Sequence, residues 1–217
     1  MFIGHIAVAL AAKRAAPTVS LGVLFAAAQL PDLVWPVLLL TGAEQVEIRP
    51  GITAFTPLDF VSYPWSHSLL MVVLTGSVAG AFYAWRAKNF PGGALLVLLA
   101  VSHWVLDWIS HRPDMPLVPG GTRHGLGLWN SIPSTLLVEG GMFLAGTMLY
   151  ATGSTAQDRT GRYAFWSLIG FLGCVYAADR FSSPPPGAAA IAWVNIAAGV
   201  GLYFWAAWAD CHRVARQ

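Results

Sequence analysis

Long apolar stretches recur along the chain, and polar residues are concentrated in the connections between them. A helix needs about 20 apolar residues to cross the hydrocarbon core of a bilayer. Stretches of nearly that length or longer are Val19–Leu40, His67–Trp85, Gly93–His111, Ile132–Ala151, Tyr163–Asp179 and Ala188–Ala209. A shorter apolar segment, Phe2–Ala12, precedes them and is either a partial or re-entrant helix or a seventh span. The pattern predicts an all-α polytopic bundle of six transmembrane spans plus a short N-terminal helix.

The chain shows no internal repeat and no separate soluble region, so we expect residues 1–217 to form one integral-membrane domain. The polar motifs described below fall within residues 1–140, and residues 141–217 are expected to supply supporting spans. Two connections are sizeable, Thr41–Ser66 and Arg112–Ser131. The N-terminus lacks the basic start of a signal peptide.

Composition agrees with a membrane protein. Hydrophobic residues make up 56% of the chain and charged residues 10%, with a mean hydropathy of +0.60. A soluble domain carries charge on about a quarter of its residues. These values exclude a soluble enzyme, a disordered chain and a nucleic-acid-binding domain. The two cysteines, Cys174 and Cys211, cannot form a disulfide framework or a cysteine-based metal site.

The basic residues predict the orientation of the bundle. Eight of the twelve lie at one set of span ends: Lys13, Arg14, Arg86, Lys88, Arg159, Arg162, Arg213 and Arg216. The remaining four lie at the opposite ends: Arg49, Arg112, Arg123 and Arg180. Because cytoplasmic ends carry the excess of Lys and Arg, the first set is expected to face the cytoplasm. The N-terminus and both long connections are then outside, and the C-terminus is inside, with a bacterial inner (plasma) membrane as the expected location.

Ionisable residues occur where a bilayer disfavours them. Four fall inside the long spans, Asp32, His103, Asp107 and Glu139, while His67 and His111 lie at span ends and His5 lies in the short first segment. At about 1.5 Å per residue, the four within spans lie roughly 6–12 Å below the same outer surface. The orientation was inferred from the Lys and Arg positions alone, yet it places the histidines and carboxylates at a similar depth in the membrane. An ionisable residue inside a membrane is a functional candidate by default.

The densest motif is His103-x-x-x-Asp107-x-x-x-His111. Spacings of four place these side chains along one face of a helix. An imidazole and a carboxylate on adjacent turns can share one metal ion, and this pair suits Zn²⁺, Mn²⁺ or Fe²⁺. The absence of nearby cysteine disfavours a closed structural zinc site.

Other interpretations of the same residues remain open. A single His or Asp near a span end is commonly hydrated at the interface, and Glu139 could pair with Arg123 or Arg180. A transporter or channel for a metal ion or a proton would also use buried acids and histidines. A non-catalytic membrane protein with a structural metal is a further alternative.

The order of these motifs resembles that of the bacterial membrane-bound metal-dependent hydrolases. The resemblance covers about the first 140 residues, and its motifs are Gly4-His5, Leu30-Pro31-Asp32, Ser66-His67-Ser68 and Ser102-His103-x-x-x-Asp107, followed by a Pro/Gly-rich stretch and Glu139. It implies His5, Asp32, His67, His103 and Asp107 as metal ligands, with Glu139 as a further member. The order is distantly similar to that of zinc-dependent phospholipase C and P1-type nucleases.

This chain departs from the family pattern at two places. Val34 stands where the family often has a second Asp after Pro-Asp, and Ser62–Ser68 lacks the first His and the Arg of the family's His-Arg-Gly-x-x-His-Ser. Either difference could remove a ligand or a phosphate contact, and His111 could supply a replacement.

The resemblance implies a hydrolase that uses one to three divalent ions, with zinc the first expectation. Asp107 and Glu139 are then the catalytic carboxylates, Glu139 as a bridging ligand or general base, and His5 and His111 complete a second ion. Arg112, Arg123 and Arg180 are candidate contacts for a substrate phosphate. The expected substrate is a lipid-like phosphodiester or ester drawn from the membrane, and no nucleic acid is expected to bind. The loop Thr41–Ser66, rich in aromatic residues and proline, could be a lid or an interfacial anchor.

Overall fold

The computed structural model describes residues 1–179 and 181–216, most of which are helical. The helices are α1 (Ile3–Ala12), α2 (Leu21–Ala28), α3 (Leu30–Leu40), α4 (Pro64–His67), α5 (Leu69–Ala87), α6 (Phe90–Ser110), α7 (Ile132–Gly153), α8 (Arg159–Asp179) and α9 (Ala188–Cys211), with a 3₁₀ turn at Leu128–Asn130. Short antiparallel pairs join β1 (Gln45–Ile48) to β2 (Leu58–Ser62), β3 (Met115–Pro116) to β4 (Arg123–His124), and β5 (Ser154–Ala156) to β6 (Arg213–Ala215).

Four of these helices, α5, α6, α7 and α9, are long and apolar enough to cross a membrane. The pair α2 and α3 adds a fifth crossing if the two are counted as one span. Helix α8 begins at Arg159, contains Arg162 and ends at Asp179, and it is not among the four. The all-α class is therefore confirmed and is consistent with an integral membrane protein, whereas the count of six spans stays a prediction.

The stretch Val19–Leu40 is not one helix. It breaks at Gln29, where α3 leaves α2 at an angle of 58°. Pro31 explains the break, because it has no N–H for a helical hydrogen bond and its ring would clash with the preceding turn. The stretch is therefore two helices rather than one, and their crossing of the membrane as one span stays a prediction. The break places Asp32 in the first turn of α3.

Helix α1 lies in the interior of the bundle. Its 10 residues extend about 15 Å, half of a hydrocarbon core of about 30 Å. Ile6, Ala9 and Leu10 are fully buried in the main apolar cluster of the bundle. Its closest approach is to α7 at Gly146, where a Cβ atom would lie 2.4 Å from the Ala7 carbonyl oxygen. Helix α1 is therefore a short helix packed in the core of the bundle.

The ends of several helices meet beside Lys13, at what we call the basic end. The Lys13 ammonium donates to the Val19 carbonyl before α2 and to Asp210 near the end of α9. Asn89, between α5 and α6, donates to Thr18. The opposite end, which we call the site end, holds the start of α1, the break between α2 and α3, and the end of α6. Both sizeable connections, with β1–β2 and β3–β4, also lie there.

Candidate metal centre

Five of the expected metal ligands come together at the site end. They are supplied by four helices: His5 by α1, Asp32 by α3, His67 by α4, and His103 and Asp107 by α6. The ligand atoms of His5, His103 and Asp107 lie within 4.8 Å of one another, and so do those of Asp32, His67 and His103. His103 belongs to both groups. We call these five residues the ligand cluster.

The orientation of His103 is fixed from behind by the backbone. Its Nδ1 lies 2.9 Å from the carbonyl oxygen of Ala28. As the last residue of α2, Ala28 has a carbonyl that its own helix does not satisfy. A carbonyl only accepts hydrogen bonds, so Nδ1 carries a proton, and in the neutral form of the ring the Nε2 lone pair points into the cluster. The break at Pro31 therefore supplies both Asp32 and the acceptor that orients His103.

The Nε2 atom of His103 faces two carboxylates of the ligand cluster. It is buried and, among the described residues, has no hydrogen-bond partner, although Oδ2 of Asp107 is only 3.0 Å away. Oδ1 of Asp32 lies at 3.8 Å. With a neutral imidazole, these are acceptor atoms facing one another, which is unfavourable unless a positive charge lies between them. The donor set, nitrogen and carboxylate oxygen, suits zinc, manganese or iron.

His67 is oriented by a carboxylate that sequence reasoning missed. Glu44, buried at 2% exposure, accepts from the backbone N–H groups of Trp65 and Ser66 at 2.8 Å and from the Ser66 hydroxyl at 2.5 Å. The same hydroxyl oxygen lies 2.7 Å from Nδ1 of His67. With Ser66 donating to Glu44, Nδ1 of His67 donates to Ser66, and Nε2 faces Oδ1 of Asp32 at 3.5 Å. Glu44 lies in a connection, 22 residues before Ser66. No spacing in the sequence indicates that it contacts the site.

His5 and Met1 complete the surroundings of Asp107. His5 Nε2 lies 3.0 Å from Oδ1 of Asp107, and its ring stacks on that of His103 with centroids 3.8 Å apart. The α-amino group of Met1 also contacts Oδ1 of Asp107 and lies 3.4 Å from the hydroxyl of Ser110. Sequence reasoning did not identify the α-amino group as part of the site, since no residue type signals it.

Glu139 lies beside the ligand cluster but belongs to neither group of ligand atoms. It is fully buried, and its carboxylate accepts from the backbone N–H of Phe2 at 3.1 Å and from the indole N–H of Trp129 at 3.5 Å. Asp32, Asp107 and Glu139 all line the same cavity, and the α-amino group of Met1 contacts Asp107.

His111 lies in a second buried polar cluster, with Asp114 and Tyr63. Its Nδ1 is 3.0 Å from Oδ1 of Asp114 and 3.4 Å from the Tyr63 hydroxyl, and its ring packs on Trp129. Tyr63 donates to Asp114 at 2.6 Å. Burial, reinforced by the Asp114 charge, raises the pKa of Tyr63 well above its ordinary value, so the phenol remains a donor at neutral pH. The structure does not bring His111 into either group of ligand atoms.

The arginines expected to hold a substrate phosphate are placed differently from one another. Arg112 pairs with Asp59 and, through Nε at 3.1 Å, with Asp114. Two carboxylates therefore already occupy its guanidinium. Arg123 is exposed on β4, with no carboxylate within ion-pair distance among the described residues. Arg180 lies outside the described residues.

A cavity of about 370 Å³ opens onto this region. Asp32, His67, Asp107 and Glu139 contribute its polar side. Its apolar side includes Trp35, Phe60, Val194 and Leu202. Phe55, from the aromatic connection, is 8% exposed and stacks on Trp129 with centroids 6.5 Å apart. Phe55 and Phe60 line the cavity and Tyr63 is buried beside them, whereas Trp65 is half exposed.

Comparison with protein-family models, curated proteins and solved structures finds no match to this chain. The similarity to membrane-bound metal-dependent hydrolases therefore rests on the motifs of the sequence alone. Function has to be argued from the ligand cluster, Glu139 and the cavity that they line.

Proposed function

We propose that this chain is a membrane-embedded, metal-dependent hydrolase that cleaves a phosphodiester or ester of a lipid-like substrate near the outer membrane face. The observation that carries the proposal is the ligand cluster, in which four helices bring together three imidazoles and two carboxylates, with Nε2 of His103 facing Asp107 and Asp32. The cluster would hold one or more divalent ions, zinc first. A divalent ion in such a site polarises a phosphoryl or carbonyl oxygen and lowers the pKa of water.

Glu139 is the residue best placed to move a proton. It lines the cavity without belonging to the ligand groups, and two N–H donors hold its carboxylate in place. A positioned carboxylate of this kind can take a proton from a nucleophilic water and return it to the leaving oxygen. Asp107 acts differently: it contacts His5, His103 and the Met1 ammonium, and therefore holds the cluster together.

The shape of the cavity supports an amphiphilic substrate. Its polar side is formed by Asp32, His67, Asp107 and Glu139, and its apolar side includes Val175 of α8 together with Val194 and Leu202 of α9. An acyl chain could lie against α8 and α9 while its polar head faces the cluster. Arg112 is already paired with two carboxylates, and Arg180 lies outside the described residues. Of the three arginines expected to contact a substrate phosphate, the exposed Arg123 is therefore the candidate for this role.

The membrane arrangement that we propose has six crossings. They are α2–α3 taken together, α5, α6, α7, α8 and α9, with α1 buried among them. The basic end faces the cytoplasm and the site end faces outward, because eight of the twelve Lys and Arg residues are at the basic end. A bacterial inner membrane is the proposed location.

A transporter or channel is less well supported by the core of the bundle. Between the cluster and the basic end lie Leu10, Leu24, Phe25, Phe165 and Leu168, all fully buried and packed together. An ion or proton crossing the membrane needs polar groups along its path. Among the described residues, this core supplies apolar side chains instead. A purely structural metal is also less well supported, since the cluster opens onto a cavity.

The test is turnover of phospholipids by the purified protein. We expect wild type to release phosphorylated or fatty-acid product, to lose activity after chelation and to regain it with zinc. Glu139→Gln should keep its metal but lose about 10²- to 10⁴-fold in kcat, as expected for a general base. His124→Ala, which removes an exposed imidazole on β4, is the matched control and should retain activity. Equal turnover in wild type, Glu139→Gln and His103→Ala would contradict the proposal.

A further inference from the structure

A second cavity, of about 430 Å³, lies at the basic end of the bundle. It is bordered by the segment after α1, with Lys13 and Arg14, by the end of α7, with Tyr150 and Gly153, and by Arg216 after β6. Along α1, the eight residues from His5 to Lys13 correspond to about 12 Å. The second cavity is therefore separate from the ligand cluster and lies at the opposite ends of α1 and α7.

The charges around this cavity are not balanced. Lys13 is paired with Asp210 at 2.6 Å, and that carboxylate also accepts from the Tyr150 hydroxyl at 2.8 Å and the Leu21 N–H at 3.0 Å. Asp210 is thus fully occupied. Arg14 and Arg216 both border the cavity, and among the described residues neither has a carboxylate within ion-pair distance. Two guanidinium charges remain available to a ligand.

Arg14 and Arg216 both lie beside Gly153. The side chain of Arg14 lies over it, since a Cβ atom at this glycine would lie 3.1 Å from Cγ of Arg14. The backbone N–H of Arg216 donates to the Gly153 carbonyl at 2.9 Å, and its Nε donates to the Thr155 hydroxyl at 2.8 Å. The β5–β6 pairing fixes this segment against α7. Arg216 is therefore held by two hydrogen bonds, whereas Arg14 packs beside Gly153, and both side chains are exposed.

A third arginine adds to the positive field. Arg213 donates to the Ser154 hydroxyl and carbonyl and to the Gly161 carbonyl, and its guanidinium lies 5.4 Å from the ring centroid of Tyr150. All of its partners are neutral, so its charge is not cancelled. Arginine binds phosphate oxygens with two parallel N–H groups, and basic pockets between helices at the cytoplasmic side of a membrane bind lipid phosphates.

We propose that this second cavity binds a phosphate group between Arg14 and Arg216, supplied by an anionic lipid headgroup or by free phosphate. The site is independent of the proposed hydrolase activity. It stands on the cavity, the two bordering guanidinium groups that have no carboxylate partner among the described residues, and the occupied Asp210.

The test measures binding of two probes to the full chain in a neutral detergent, with chelator present so that no metal centre contributes. The probes are phosphatidylglycerol, followed by native mass spectrometry, and inorganic phosphate, followed by calorimetry. The variant is Arg14→Gln with Arg216→Gln, which keeps the aliphatic part of both side chains. The matched control is Arg159→Gln with Arg162→Gln, which removes two exposed charges outside the cavity. Thermal unfolding of each variant checks that the fold is retained.

We expect wild type to bind one equivalent of a probe saturably, and the Arg14/Arg216 variant to bind at least about tenfold more weakly. The Arg159/Arg162 variant should bind within about twofold of wild type. Binding of inorganic phosphate identifies free phosphate as a source, and binding of phosphatidylglycerol alone identifies the lipid headgroup. The absence of saturable binding of either probe, or equal weakening in both double variants, would overturn the proposal.

Discussion

At the scale of single residues, the structure explains how two histidines of the ligand cluster are oriented. His103 is held by a backbone carbonyl at the end of α2, and His67 by the Glu44–Ser66 pair. In each case the outer nitrogen has an acceptor, which leaves the inner nitrogen with a lone pair for a cation. Partners of this kind fix the tautomer and orientation of metal-binding histidines.

Glu44→Gln tests the importance of this arrangement. The amide can still accept from the backbone N–H groups of Trp65 and Ser66, but it replaces the carboxylate oxygen that receives the Ser66 hydroxyl. We expect zinc affinity, measured by competition with a chelating dye, to fall about 10- to 100-fold. Glu47→Gln is the control, because Glu47 is exposed on β1 and pairs with Arg49. Unchanged zinc affinity in Glu44→Gln would show that Glu44 has no role in orienting His67.

At the scale of elements, the break between α2 and α3 is the feature on which the cluster depends. Pro31 prevents a continuous helix, and the break gives both Asp32 and the free carbonyl of Ala28 to the site. The sequence contained this signal, since a proline within a helical pattern ends or bends the helix. Hydropathy alone does not reveal the break, because Val19–Leu40 is apolar on both sides of it.

Replacement of Pro31 should weaken metal binding without lowering the stability of the fold. Pro31→Ala restores an N–H donor and favours a straighter helix, so we expect thermal stability to be equal or higher. Asp32 and the Ala28 carbonyl should then move, and zinc affinity should fall about tenfold. Pro36→Ala, later in α3, is the control and should leave zinc affinity unchanged. An unchanged zinc affinity in Pro31→Ala would refute the role given to the break.

The packing of α1 on α7 gives a second prediction at this scale. In Gly146→Ala, the new Cβ would lie 2.4 Å from the Ala7 carbonyl oxygen, so the helices must separate. We expect unfolding free energy in detergent to drop by about 1–3 kcal/mol. Gly141→Ala, in the same helix with nothing within 4 Å of the added atom, should instead gain about 0.5–1 kcal/mol. Similar effects in both variants would argue against close packing at Gly146.

At the scale of the whole molecule, the sequence predicted the helical class, and the five residues that it named as metal ligands lie together at the site end, whereas contacts made by the connections were not predicted. The spacing of His103 and Asp107 on α6 required only a helix. The convergence of α1, α3, α4 and α6 followed from placing all ionisable residues at one level. Glu44, the Met1 amine and the pairing of Arg112 with Asp59 lie in irregular or terminal segments, and no periodicity relates them to the site.

The proposed orientation can be tested with the exposed Cys211 at the basic end. In a Cys174→Ala background, an impermeant maleimide should leave Cys211 unlabelled in intact cells and label it after permeabilisation. A single cysteine introduced by Thr122→Cys, in a chain without Cys174 and Cys211, should be labelled in intact cells, because residue 122 lies between β3 and β4 at the site end. The reverse pattern would invert the orientation that the basic residues predict.

The central claim is that the cluster holds a metal ion, and the most direct test is elemental analysis of the detergent-purified protein. Wild type and His124→Ala, both loaded with zinc or manganese and dialysed, should retain at least about one equivalent. His103→Ala and Asp107→Ala should retain none while keeping the helical circular dichroism spectrum of wild type. A wild-type protein that holds no metal after loading, or wild-type metal content in both cluster variants, would contradict the account.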